Sequence, residues 1–168
     1  TAQRGHKLLK DKRDEMMRRL LEQVRRARTL RQETARMLAA VRAAQSEAAA
    51  ALSPAFLAGA LLCPAQTLHL ETQVRSAMGV ALPAFSLSVQ AQPGQPYGYA
   101  QTDGALDEAL SRLHAALPKL LALAEAEKTV HCMARELEAA RRRVNALEYV
   151  LIPELQEQIR RISMKLEE

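Results

Sequence analysis

Two stretches of helical periodicity, one near each end of the chain, restrict the fold more than any other feature. Leu137, Ala140, Val144, Leu147, Leu151, Leu155, Ile159, Ile162 and Leu166 recur at intervals of three and four, the spacing of a coiled-coil seam. Nearer the start, Gly5 to Ala51 contains no proline, and Leu9, Met16, Leu20, Val24, Ala27, Leu38, Val41, Ala48 and Leu52 draw a second stripe. As helix, those 47 residues span roughly 70 Å, the range of coiled coils rather than of globular helices. A rod of that length needs a partner for its stripe, and each stretch supplies one for the other. Glu138 with Arg142, and Glu157 with Arg161, add i,i+4 pairs on the outer face.

Between the two stretches the character changes. Residues 53–102 hold five of the seven prolines, one Arg, one Glu and no Lys. Ser53 before Pro54 reads as an N-cap with proline at the first helical position, opening a short helix that runs through Leu62 and ends at Cys63-Pro64. The period then falls to two. Leu68, Leu70, Thr72 and Val74 alternate with His69, Glu71, Gln73 and Arg75, and after Gly79 the residues Phe85, Leu87 and Val89 alternate with Ala84, Ser86 and Ser88. This predicts a β-hairpin over about 67–90, with Pro83 at a strand start or edge because it lacks an amide donor. Residues 90–101 read as loop. Asp103 can cap a further helix, and Pro118 is expected to break it. The remaining 50 residues from Lys119 then match the first helix in length. The expected fold is mainly α: an antiparallel two-helix coiled coil of 1–52 and 118–168, in which facing residue numbers add to about 170. Short helices and the hairpin, 53–117, form its foot.

The rest of the sequence mostly excludes. Aromatic residues make up 3% and Trp is absent, so the apolar 48% is mainly Ala and Leu, which favour helix-on-helix packing. No glycine-rich phosphate loop occurs. His6, His69, His114 and His131 have no metal-ligand spacing, and neighbouring His131 and Cys132 point to different helix faces. The expectation is a chain with no catalytic, cofactor or metal site. Cys63 and Cys132 form no CxxC pattern, which fits a reducing, cytoplasmic setting. No apolar run reaches the length of a membrane span, and the start has no signal-peptide core. Both ends fall inside helical pattern, so the chain is expected to continue in a longer protein.

Net charge is +5 and unevenly spread. Arg4 to Arg42 carries 13 basic against 5 acidic residues, whereas Lys119 to Glu168 carries 9 of each. In the expected register Arg25, Arg26 and Arg28 stand beside Arg141, Arg142 and Arg143, a basic band able to dock an acidic partner; solvated Arg keeping a rod soluble is the plainer reading. Asn145 and the hairpin residues Leu68, Leu70, Val74, Phe85 and Leu87 are further candidates for partner contact. Pro153 interrupts the seam, removes the bond to the carbonyl of Tyr149, and predicts a bend.

GHKLLKDKRDEM (5–16), GYAQTDGALDEALSRL (98–113) and above all RRRVNALEYVLIPEL (141–155) resemble the signature stretches of the D-subunit family of V/A-type (vacuolar/archaeal-type) rotary ATPases. An Arg-Arg-Val-Asn-Ala-Leu-Glu core followed by Ile-Pro is highly specific, and the resemblance covers most of the chain. It implies a non-catalytic central rotor shaft whose paired terminal helices enter the ring of A and B subunits. The small F subunit of the family's central stalk binds the shaft's side near the hairpin end, and the cone-shaped C (or d) subunit of the membrane rotor receives its foot. Such a complex couples ATP hydrolysis or synthesis to proton or sodium transport. EAARRRV and QIRRI depart from the family's usual Thr-containing runs at those places and leave the seam intact.

Two other classes share parts of this pattern. A prefoldin-like coiled-coil chaperone also sets a β-hairpin between coiled-coil helices, but would need apolar grooves at free helical tips. A nucleic-acid-binding arm would use the basic first helix, although few aromatics and no binding module accompany it.

Overall fold

A computed structural model of the chain describes residues 2–62, 64, 66–91, 97–98 and 104–167. Helix α1 runs Ala2–Ala51 and is about 75 Å long at 1.5 Å per residue. A short α2, Pro54–Ala60, follows, capped as its sequence predicts: the Ser53 Oγ accepts from the Phe56 amide at 3.3 Å, and proline stands at the first helical position. Strands β1, Gln66–Ala77, and β2, Val80–Ala91, pair antiparallel around a Met78-Gly79 turn. Helix α3, Gly104–Ala146, continues as a π-helical segment, Leu147–Leu151, into α4, Ile152–Glu167. The expected mainly α fold with a small mid-chain hairpin is what forms. The cap at Asp103, the helix stop at Cys63 and most of the 90–101 loop lie outside the described residues.

Pro118 does not break the second long helix; α3 passes through it. Proline costs a helix one bond, here from residue 118 to the carbonyl of His114, and crowds that carbonyl. Both residues lie on the exposed side, where water can take the missing partner's place. Because α3 therefore extends to Gly104, its start meets the end of α1, and this sets the register. His6 faces Glu148, Arg31 faces Glu127, Glu33 faces Lys119, and Arg112 reaches the carbonyl of Ala40. Facing numbers thus add to between 152 and 158, not to about 170.

Small side chains make most of the α1–α3 contact. Ala44, Ala48, Ala109, Ala116, Ala126 and Ala140 are all buried, with Val144 fully so, and such side chains let the helix axes approach closely. Thr34 is buried with an unpartnered Oγ1. At the foot, Ala48, Ala60 and Leu106 form a cluster joined by Leu52, Phe56, Leu57, Tyr97 and Leu110.

The hairpin folds back along the shaft from this foot. Val80 packs with Met16 and Met133, and Leu20, Met78, Leu82, Cys132 and Leu137 close the cluster. Glu125 of α3 holds the strands from the side. One carboxylate oxygen accepts from Arg75 Nη2 at 2.6 Å, the other from the Phe85 amide at 3.1 Å. That second bond occupies a donor on the sheet edge that would otherwise be open for pairing. Pro83 lies within β2, opposite Val74.

Candidate functional site

The candidate site is the surface of the shaft. Among the described residues no group of three or more His, Cys, Asp or Glu is arranged to hold a metal ion, and no helix is long and apolar enough to cross a membrane. His131 is exposed while Cys132 is half-buried in the Met16 cluster, so the two do turn to different sides.

The basic band expected from six arginines separates into two levels. Arg28 lines a groove with Arg31, Glu127, Val130 and His131, whereas Arg142 lines another with Gly79, Val80 and Glu138. Along α3 the two levels lie roughly 20 Å apart, from a separation of about 13 residues. The cause is the register: with α3 running to Gly104, Arg25, Arg26 and Arg28 face the region of Glu125 and Glu127 rather than Arg141–Arg143.

The two levels also differ in pairing. Arg142 bonds Glu138 at 2.6 Å, and Arg143 reaches Glu136 at 3.4 Å. Arg25, Arg26 and Arg28 are exposed and make no ion pair among the described residues. Neighbouring cations are already committed. Glu15 accepts from both Arg18 and Arg19, and these hydrogen bonds, that of Arg18 foremost, hold its carboxyl down at about 2. The same contact raises the Arg18 guanidinium further above its ordinary value. Arg25, Arg26 and Arg28 thus form a run of unpaired positive charge in the middle of α1, as Lys7, Lys10 and Lys12 do nearer its start, among the described residues. Arg141 and Asn145 are exposed.

The hairpin residues singled out from the sequence share one face. Leu68 pairs with Val89, Leu70 with Leu87, Thr72 with Phe85 and Val74 with Pro83, and directly opposed residues point the same way. The opposite face carries Val80 and Leu82 into the shaft cluster. The first face therefore turns outward. Leu68, Leu70, Val74 and Val89 are 43–77% exposed, while Phe85 and Leu87 are half-buried.

The shaft seam holds only in part. Val144 is fully buried, and Leu137 and Leu147 are half-buried. Leu151, Leu155, Ile159 and Ile162 are exposed, at 42%, 36%, 63% and 59%. The register explains this too, since Ala2 faces about residue 152 and α4 projects past α1 without a packed partner among the described residues. At Pro153 the irregularity takes the form of the π-helical segment just before it, where the Ile152 amide donates to the Leu147 carbonyl. Sequence reasoning missed that segment and the Glu125 clip. Pro153, which lacks the amide for the bond to Tyr149, is the local signal beside the first, and nothing local marks the second.

A long two-helix rod with a hairpin clipped to its flank, carrying apolar and basic patches on its outside, is the architecture in which these surfaces are presented. The family model for the D subunit of ATP synthases matches residues 1–168, so the chain belongs to that family. Its relatives include the V-type ATP synthase D subunit of Clostridium botulinum (strain Langeland), 43% identical over all of this chain and 80% of the relative. The protein of the same description from Clostridium novyi is 44% identical with the same coverage. That of Acetivibrio thermocellus is 43% identical over 99% of this chain and 77% of the relative. Membership makes this a structural rather than a catalytic component.

Proposed function

We propose that the chain is the central rotor shaft of a V/A-type ATPase, carrying torque between the ring that hydrolyses ATP and the membrane rotor that moves ions. The observation that carries this reading is the pairing of α1 with α3 along the shaft, in a chain matched throughout by the D-subunit family. A single helix twists easily. Two helices locked along a close seam of alanines resist twisting, because turning one about the other must open buried contacts.

In this reading the complex sits on the cytoplasmic side and peripheral to the membrane. The A and B subunits surround the helical end, the F subunit lies against the shaft's flank, and the cone-shaped C (or d) subunit receives the foot. The outward apolar face of the hairpin supports a flank partner, since exposed apolar area of this kind gains from being covered. The unpaired cations at 25–28 support a bearing contact with acidic loops, because exposed ion pairs are individually weak and exchange readily. Co-expression with the F subunit tests the arrangement. A 1:1 complex is expected, with exchange protection gained over the hairpin and the adjoining helices. A monodisperse chain that ignores the F subunit would defeat the partner assignment.

A further inference from the structure

The seam between α1 and α3 is not filled equally along its length. It is anchored at two places: Met16 and Met133 pack with Val80 of the hairpin, and Ala48 and Leu106 pack with Ala60 at the foot. Between Met16 and Ala44 the one buried residue of α1 is polar, Thr34. It is 2% exposed, and its Oγ1 has no hydrogen-bond partner among the described residues. A buried hydroxyl in that position has given up its bonds to water and gained none in exchange.

The facing helix carries a second defect at the same level. Lys119 Nζ reaches Glu33 Oε2 at 3.1 Å, so their neighbours Pro118 and Thr34 stand within about one turn of each other along the rod. Pro118 lies inside α3 and cannot donate to the carbonyl of His114. Each helix thus lacks a bond where the other lacks one too. The ties across this level are on the outside: Arg31 with Glu127, and Glu33 with Lys119. These four side chains are 41–71% exposed, and exposed pairs of this kind are weak and re-form readily after a displacement.

We infer that the level of Thr34 and Pro118 is the compliant point of the shaft, where α1 and α3 shift against each other before the seam yields anywhere else. Small sliding of packed helices is a common form of conformational change. It costs least where the interface holds few buried contacts and where rim ion pairs can stretch and exchange. Both conditions meet here, between the hairpin anchor and the foot. The load comes from the shaft reading above, on which this assignment rests: torque applied at the two anchored ends collects as twist where resistance is least.

Hydrogen exchange at single amides of the full-length protein, corrected for intrinsic rates, tests the assignment. Residues 31–37 and 115–122 are expected to exchange about tenfold faster than the turns around Met16 and Met133, a factor in keeping with one unpaired buried hydroxyl. Thr34→Val removes the hydroxyl and keeps the branched shape, and Pro118→Ala restores the missing donor. Each is expected to slow exchange in both helices, since the two defects share one level, and to raise the melting temperature. Protection equal to that of the Met16 and Met133 turns would overturn the compliant point. So would faster exchange in Thr34→Val, or substitutions that each act on their own helix alone. None of these readouts needs rotation: an even exchange profile removes the compliant point and leaves the shaft reading in place, whereas a shaft that fails to turn leaves the exchange profile as it was.

Discussion

At the scale of single residues, the most sharply defined electrostatic feature is Glu15 between Arg18 and Arg19. Its carboxyl is held near 2 against an ordinary 4.5. A depressed carboxylate stabilises the fold fully above the ordinary value and loses that contribution as pH falls through the folded value. Glu15 should therefore titrate near pH 2 by NMR, and Arg18→Gln should move its midpoint upward; a wild-type midpoint near 4.5 would remove the clamp. The hairpin turn offers a second test. Gly79 has a φ of 79°, and an added Cβ would meet only Lys12 Nζ, at 3.5 Å. Gly79→Ala is thus strained without being crowded, and should cost about 1–2 kcal/mol in denaturant unfolding. Met16 is fully buried where shaft and hairpin meet, so Met16→Ala should cost more, about 2–5 kcal/mol.

At the scale of elements, Pro118 decides the register. If α3 runs through it as a true helix, Pro118→Ala restores an amide donor and should raise stability by about 1–3 kcal/mol; a loss would point to a local break that proline favours. Cysteine pairs measure the register itself. With Cys63 and Cys132 replaced by serine, Glu33→Cys with Lys119→Cys should join through a short thiol cross-linker, because the native side chains meet at 3.1 Å. Arg28→Cys with Arg142→Cys, a pair matched in a register of about 170, should not. Both long helices and the hairpin were legible in the sequence, because period alone separates a 3.6-residue stripe from the two-residue alternation of Leu68 to Val74. The effect of Pro118 was not, because proline's cost depends on whether its side of the helix meets water or another helix, and only the tertiary arrangement fixes that. From that one residue followed the misplaced register, the basic band that separated into two levels, and the seam residues from Leu151 onward that α1 does not reach. The outward face of the hairpin was readable from its alternation, but the Glu125 clip joins residues 40 and 50 positions apart and leaves no local trace.

At the scale of the whole molecule, charge and stiffness must serve the same task if the chain is an axle. Converting Arg25, Arg26 and Arg28 to Glu should leave helicity intact, weaken the shaft's hold in the ring, and do so most at low ionic strength, where exposed charges are least screened. Unchanged assembly at every salt concentration would reduce those arginines to solubilising charge. The central claim, that this rod turns, is open to direct observation. The A and B ring would be fixed to a surface and a bead tethered to the exposed outer strand of the hairpin, through Glu71→Cys. During ATP hydrolysis the bead should rotate continuously in one direction, and stop when ATP is withdrawn. Steady hydrolysis beneath a bead that is firmly attached to the shaft and does not turn would contradict the account.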